Sequence, residues 1–250
     1  MTRLLVLGGL SWTLLPADAS ADEALVAVAT NFAGAIERLE ADFERSSSHR
    51  LTVATGSTGK LYAQIVNGAP FDVLLAADRH RPELLEREGH AVAGSRFTYA
   101  IGRLVLWSPD PERIGANGAE TLELGAFRKL AIANPDLAPY GVAARQTLER
   151  LGLFERLRDR LVMGENIGQA YAMVATGNAD LGFVALSYIL SPRSVPGSHW
   201  EVPPCLYPRI DQDAVLLSNG ADNQAAREFL DFLKRPDVRA VIRGFGYSVE

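Results

Sequence analysis

The stretch ATGSTGKL at residues 54–61 places a small, hydroxyl-rich loop between an apolar run and a Gly-Lys pair. The phosphate loop of nucleotide hydrolases has the pattern G-x-x-x-x-G-K-[ST]. Here Ala54 stands where the first glycine is required, and Leu61 stands where a hydroxyl would meet Mg²⁺. The stretch therefore does not predict a nucleotide site. Its small residues still leave backbone N–H groups open at the start of a helix, which favours a bound anion.

The loop by itself supports two interpretations. Ser57 and Thr58 could donate their hydroxyls to a ligand, or one of them could serve only as the N-cap of the following helix. Residues 54–61 do not separate the two interpretations.

Apolar runs alternate with amphipathic segments on both sides of this loop. Because the runs lack polar–apolar alternation, we expect an α/β fold with mostly parallel sheets that helices cover on both faces. The runs are LVAVA (25–29), LTVAT (51–55), FDVLLAA (71–77), LAIAN (130–134), ADLGFVAL (179–186) and DAVLLS (213–218).

Extended segments near residues 100 and 210 divide these elements into two blocks. We expect two lobes, one formed by residues 22–100 plus 212–250 and the other by residues 101–211. In open α/β sheets, ligands bind beyond the carboxyl ends of the strands. The strand-to-helix turns are therefore where a site is expected.

The composition limits the partners of the chain. Its 250 residues are 48% hydrophobic, which is enough for a sizeable core, and the net charge is −5. An acidic protein is a poor partner for nucleic acid. A bound anion would have to be held by local donors, since the overall field repels it.

The N-terminus has the pattern of a secretory signal. Arg3 precedes an apolar run over residues 4–15, and Ala19-Ser20-Ala21 fits the small-x-small cleavage pattern. Residues 1–21 are thus predicted to be a signal peptide and the mature chain to begin near Asp22, in the periplasm; the alternative is a buried first strand. No cysteine follows the signal, so we do not expect a lipid anchor.

Cysteine and histidine are too few and too scattered for a metal centre. Cys205 is the single cysteine, for which we expect a buried, small hydrophobic role. The four histidines lack the spacing of zinc ligands. We expect no metal site and no cofactor.

Neutral hydrogen-bond donors occupy the predicted strand-to-helix turns. They are Thr30, Asn31, Ser57, Thr58 and Tyr140. Each turn also opens a helix, whose first N–H groups lack intrahelical partners. Together these donors suit a compact anion with many acceptor oxygens.

Each of these positions also has a purely structural interpretation. Asn31 could be an N-cap, Tyr140 a half-buried surface aromatic, and Ile167 a core residue that contributes only its N–H. No Ser-His-Asp arrangement and no G-x-S-x-G motif accompanies them. The pattern favours binding over catalysis.

Four longer stretches resemble the periplasmic molybdate-binding proteins of ABC transporters. The stretch from 56 to 78 is the most specific, since its hydroxyl pair, Gln64 and G-A-P-x-D motif occur at fixed spacing. The stretches are VAVATNFAGAIERL (26–39), GSTGKLYAQIVNGAPFDVLLAAD (56–78), GENIGQAYAMVATGNADLGFVAL (164–186) and AREFLDFLKRPDVRAVIRGFGY (226–247).

The resemblance covers nearly all of residues 24–248 and implies a type II periplasmic-binding-protein fold that closes around a tetrahedral oxyanion. The ligand positions that it implies are Thr30, Asn31, Ser57, Thr58, Tyr140 and the backbone N–H of Ile167. One position departs from the pattern: some members carry a tyrosine where this chain has Ala185, and Tyr140 is expected to take its place.

The resemblance implies a binding protein, not an enzyme, that captures molybdate and tungstate and delivers them to a membrane permease, as a monomer. A binder of sulfate or another tetrahedral oxyanion is the alternative within the same class. A phosphate-handling enzyme that uses residues 54–61 is the alternative from another class. A ligand-sensing domain of a regulator shares the fold, but the export signal argues against it.

Overall fold

A computed structural model describes residues 22–250 of the chain. The predicted signal peptide, residues 1–21, lies outside the described residues.

Ten strands within the described residues form two five-stranded sheets. They are β1 (Glu23–Ala29), β2 (Arg50–Gly56), β3 (Val73–Leu75), β4 (Phe97–Gly102), β5 (Leu104–Ser108), β6 (Leu130–Ala133), β7 (Leu161–Gly164), β8 (Leu181–Ala185), β9 (Ser198–Glu201) and β10 (Ile210–Leu216).

Helices flank both sheets. They are α1 (Ala33–Ser46), α2 (Thr58–Val66), α3 (His80–Arg87), α4 (Gly118–Leu124), α5 (Pro139–Arg150), α6 (Phe154–Leu157), α7 (Ile167–Ala175), α8 (Leu186–Ile189), α9 (Gln224–Leu233) and α10 (Pro236–Gly244). Short 3₁₀ turns lie at Thr30–Phe32, Arg158–Arg160, Pro204–Leu206 and Ser218–Gly220.

The two sheets share one topology. Their strand orders are β2-β1-β3-β10-β4 and β7-β6-β8-β5-β9. In the first sheet only β10 runs against its neighbours, and in the second only β5 does. The expected α/β class, with mostly parallel sheets flanked by helices, is confirmed.

Burial on both faces explains why the strands lack alternation. In β1 the side chains of Val26, Ala27 and Val28 are all inaccessible to solvent. Helix α1 covers one face with a stripe that includes Leu39 and Phe43, at helical spacing. Each sheet is therefore covered by its own set of helices.

The chain passes between the sheets at two places. The predicted extended segment at 97–107 is two strands, because β4 ends at Gly102 and β5 begins at Leu104 in the other sheet. The chain returns through residues 202–209 to β10 in the first sheet. Only Arg103 separates the two strands, so the sequence pattern does not mark the crossing.

Cys205 is exposed, so the expectation that it is buried is wrong. It lies in the 3₁₀ turn Pro204–Leu206, within the proline-rich segment that leads back to β10. The neighbouring Leu206 and Tyr207 pack against the core, whereas the side chain of Cys205 faces solvent.

We predict that Phe229→Ala lowers the free energy of unfolding by about 3–5 kcal/mol. Phe229 in α9 is fully buried, and its ring centroid lies 5.4 Å from that of Phe43 in an edge contact. Urea unfolding measures the change. The control is Leu124→Ala, whose side chain is 82% exposed and whose effect should stay within about 0.5 kcal/mol. A loss below about 1 kcal/mol for Phe229→Ala would contradict this assignment of the core.

Candidate functional site

All six predicted site residues line one cavity between the two sheets. The cavity is small, with a volume of about 10 Å³. The six come from the starts of four helical segments and are Thr30, Asn31, Ser57, Thr58, Tyr140 and Ile167. The rest of the lining consists of alanine, glycine and proline.

Ser57 occupies the N-cap position of α2 but does not cap it. Its side chain makes no capping hydrogen bond, and its Oγ is buried without any hydrogen-bond partner. A buried hydroxyl without a partner costs free energy, about 1–3 kcal/mol. Ser57 thus holds a free donor at the cavity, and the N-cap interpretation does not account for its side chain.

Within residues 22–250, the hydroxyl of Thr58 acts only as an acceptor. Its Oγ1 accepts from the backbone N–H of Ala77 at 3.0 Å, which leaves the hydroxyl proton available. Because the side chain is buried, this bond fixes where the hydroxyl lies.

Asn31 uses its side chain within the protein. Its Nδ2 donates to Gln212 Oε1 at 2.8 Å and to the hydroxyl of Tyr247 at 3.1 Å. The side chain therefore is not an N-cap, and both amide protons are engaged. What remains for an anion is the backbone N–H at the start of the 3₁₀ turn.

Tyr140 is buried, with 1% of its surface exposed, so it is not a half-buried surface aromatic. Its hydroxyl oxygen accepts from Gln212 Nε2 at 3.2 Å, and its proton stays free to donate. Burial raises the pKa of Tyr140 well above its usual value. The phenol is therefore a neutral donor.

Ile167 and Thr30 line the cavity from different sheets, after β7 and β1 respectively. Ile167 is the first residue of α7, and Asn166 caps this helix by accepting from Gln169 N at 3.0 Å. The N–H of Ile167 is left without an intrahelical partner. Thr30 is half-buried, and its carbonyl accepts from the hydroxyl of Tyr188 at 2.8 Å.

Direct contacts hold the lobes together around the cavity. The N–H of Gly59 donates to the carbonyl of Leu137 at 2.9 Å. At the exposed rim, Lys60 Nζ lies 2.8 Å from Glu165 Oε1, so Lys60 is a rim charge and not part of the lining. The structure thus describes the closed arrangement of the two lobes.

Four residues near the site were missed from the sequence. Gln212 and Tyr247 contact Asn31, Ser187 Oγ donates to the Asn31 carbonyl at 2.7 Å, and Tyr188 contacts Thr30. Gln212 lies between Asp211 and Asp213, and three consecutive polar residues in a largely buried strand were a usable signal. Ala185, where some similar proteins have tyrosine, is buried and does not line the cavity.

The cavity suits an anion held without counter-charge. Among the described residues, the eleven that line it include no charged side chain. Its free donors are the hydroxyls of Ser57, Thr58 and Tyr140 and the N–H groups at four helix starts. Such an arrangement stabilises acceptor oxygens. Elsewhere, none of the helices in residues 22–250 has the length and hydropathy to span a membrane.

Comparisons with known proteins agree with this geometry. The molybdate-binding protein ModA of Azotobacter vinelandii is 49% identical over 251 residues, covering 100% of this chain and 98% of that protein. ModA of Rhodobacter capsulatus is 47% identical over 94% of this chain and 92% of its own length. The solved structure of the Azotobacter vinelandii periplasmic molybdate-binding protein matches with a TM-score of 0.87 and 43% identity, covering 91% of this chain and 99% of that chain.

A family model gives the most general relationship. The model described as "Bacterial extracellular solute-binding protein" matches residues 24–248, which is nearly the whole described chain. On this match, and on relatives that are nearly half identical along their length, the chain belongs to the family of bacterial extracellular solute-binding proteins.

Proposed function

We propose that this protein is the periplasmic substrate-binding component of an ABC importer and that it binds molybdate, and also tungstate, in the cavity between its lobes. The observation that carries the proposal is the convergence of neutral donors from four helix starts on one buried, uncharged cavity. Relatives at 49% and 47% identity that bear the name molybdate-binding protein support the choice of ligand. The chain is a binding protein and not an enzyme.

Hydrogen bonds and helix ends together stabilise the doubly charged ligand. A hydrogen bond to a charged group contributes about 1.5–3 kcal/mol, so several donors suffice without a cationic side chain. Because the donors come from both lobes, the ligand binds the closed form better than an open one and shifts the population toward it. Selectivity over sulfate rests on cavity size, since the two anions share charge and shape.

The same proposal covers processing, lobes and assembly. Residues 1–21 are removed as a signal peptide, and the mature protein acts in the periplasm as a monomer that delivers its ligand to a membrane permease. Lobe 1 comprises residues 22–100 plus 212–250, and lobe 2 comprises residues 101–211. Sheet membership supports these boundaries to within two residues, because the crossings lie beside Gly102 and Ile210.

The alternatives have less support. A sulfate-binding protein of Mycobacterium tuberculosis shares the fold at 14% identity, which carries no information about the ligand of this chain. The enzyme alternative required residues 54–61 to act as a phosphate loop. In the structure Lys60, its one cation, points to Glu165 at the rim.

Titration calorimetry of the mature chain, from Asp22, tests the ligand. We expect one-to-one binding of molybdate and tungstate, and no heat from sulfate or phosphate at the same concentration. Binding heat from sulfate or phosphate, but not from molybdate, would support an oxyanion-binding protein and reject molybdate as its ligand. The absence of binding heat with all four anions would overturn the proposed function.

We predict that Ser57→Ala lowers the affinity for molybdate by about tenfold to a hundredfold, because it removes one hydrogen bond to a charged ligand. The melting temperature of the unliganded protein should not fall, since the hydroxyl of Ser57 has no partner in the protein. Calorimetry and thermal unfolding measure the two effects. Ser46→Ala, at the far end of α1, is the control that removes an exposed hydroxyl. Unchanged affinity in Ser57→Ala would exclude Ser57 from the site.

We predict that Gly59→Ala weakens molybdate binding by hindering closure. A Cβ at this position would lie 2.9 Å from the Leu137 carbonyl oxygen on the opposite lobe, so the lobes would have to move apart. The control is Gly244→Ala in α10, where a Cβ meets nothing within 4 Å. Calorimetry should show at least about tenfold weaker binding for Gly59→Ala only. Equal affinities would contradict closure through this contact.

We also predict that molybdate affinity stays constant from about pH 7 to about pH 9.5, below the ordinary pKa of tyrosine. The donors are neutral, and burial raises the pKa of Tyr140 above that of an ordinary tyrosine. Tyr140 therefore keeps its proton throughout this pH interval, and binding does not change. Titrations across this interval measure the effect. A tenfold fall within it would show that a titrating group holds the ligand.

A further inference from the structure

A chain of buried hydrogen bonds lies behind the cavity and joins the two lobes. Its central member is Gln212 in β10, which is fully buried and contacts Asn31, Tyr99 and Tyr140. Gln212 does not line the cavity itself. Asn31 belongs to the first lobe and Tyr140 to a helix of the second, so Gln212 links a donor from each.

This chain of hydrogen bonds starts at a group that can only accept, so the direction of its bonds is fixed. The backbone carbonyl of Asn31 can only accept, and it receives hydrogen bonds of 2.7 Å from Ser187 Oγ and from the hydroxyl of Tyr247. Tyr247 has one proton, which is used in this bond. Its oxygen must therefore accept from the atom 3.1 Å away, and that atom of Asn31 is Nδ2.

The next links follow by elimination. The second amide proton of Asn31 goes to Gln212 Oε1 at 2.8 Å. The hydroxyl of Tyr99 has one proton for two acceptors, the Ala76 carbonyl at 3.1 Å and Gln212 Oε1 at 3.2 Å. Gln212 must then present its Nε2 to Tyr140, at 3.2 Å from the hydroxyl. Within residues 22–250 the Tyr140 proton has no acceptor, although the oxygen has a donor.

We propose that Gln212 is a positioning residue that sets the direction of the Tyr140 O–H bond, so that Tyr140 can only donate toward the ligand. This inference rests on the proposed function, in which Tyr140 donates to an oxyanion. Gln212 acts through Tyr140 and does not touch the ligand. The same bond crosses from one lobe to the other, so the direction is set only when the lobes are closed.

Backbone geometry prepares the position of Gln212. Gln212 lies opposite Ala100 and Asp213 lies opposite Thr98, so Tyr99 is an extra residue and the pairing of β10 with β4 contains a bulge. Bulges redirect side chains.

A neighbouring glycine makes room for this contact. A Cβ on Gly102 would lie 2.2 Å from the Tyr140 hydroxyl and 2.6 Å from Gln212 Nε2. Any other residue at position 102 would therefore displace one of these two groups.

A double-mutant cycle tests the proposal. Gln212→Met removes the donor at nearly constant size, and Tyr140→Phe removes the hydroxyl that it orients. Molybdate affinity is measured for the mature protein, for both single variants and for the double variant. If the wild type binds sulfate, phosphate or tungstate instead of molybdate, the four proteins are titrated with that anion. We expect each single change to weaken binding about tenfold or more, and the double variant to match Tyr140→Phe within about twofold.

Additive losses would overturn the proposal, because Gln212 would then act independently of Tyr140, for example through Asn31. An unchanged affinity in Gln212→Met would overturn it as well. A wild type that binds none of the four anions would overturn both the inference and the proposed function, whereas additive losses in a wild type that binds would overturn the inference alone.

Two further variants separate positioning from a general defect of the fold. Gln212→Glu keeps the acceptor oxygen that faces Asn31 and replaces the NH2 donor by a second carboxylate oxygen, which would draw the Tyr140 proton away from the cavity. Its loss of affinity should again shrink when Tyr140 is phenylalanine, although the added charge acts in both backgrounds. Thr147→Val removes a buried hydroxyl that bonds to Ala143 O in the same helix as Tyr140, and should leave affinity unchanged. If Gln212→Met does not fold, the Gln212→Glu cycle decides alone.

Discussion

Four helical segments begin at one point between the two sheets, and the chemistry of the protein depends on this convergence. A helix start leaves backbone N–H groups without partners and carries partial positive charge. One such start is common in proteins and carries little information. Four of them, from two lobes, form a cavity whose field favours an anion even though the lining has no cation and the chain has a net charge of −5.

This arrangement has a structural cost that the surrounding polar network offsets. Buried polar groups are unfavourable unless they are hydrogen-bonded. Behind the cavity, Gln212 bonds to both Asn31 and Tyr140, and Thr58 is held by the N–H of Ala77. Ser57 is the exception, with a buried hydroxyl that has no partner. Next to the cavity, the hydroxyl protons of Ser57, Thr58 and Tyr140 are therefore free, and a bound oxyanion would use them.

Closure and recognition are also linked. The bonds that join the lobes include Gly59 to Leu137 and Gln212 to Tyr140, and both involve residues within or next to the cavity lining. On the proposed function, the ligand donors would reach their final geometry when these contacts form. A binding protein built in this way couples the orientation of its donors to the closed state, so an anion that fits is also the anion that closes the lobes.

The sequence by itself determined the local chemistry of this protein. Apolar runs without alternation predicted strands buried on both faces, and small residues with hydroxyls predicted where donors would open a helix, as at Ser57 and Thr58. These are local properties, because a strand or a helix start depends mainly on neighbouring residues. The six expected site residues came from such turns and from the family resemblance, and the structure brings them into one cavity.

Only the tertiary structure decided which groups are free and which are used. The turn sequence did not reveal that the Asn31 side chain is engaged by Gln212 and Tyr247, which follow it by 181 and 216 residues. It also did not reveal that β4 and β5 belong to different sheets, because both are extended. Hydrogen-bond direction and sheet membership depend on partners far away along the chain, and folding alone brings those partners together.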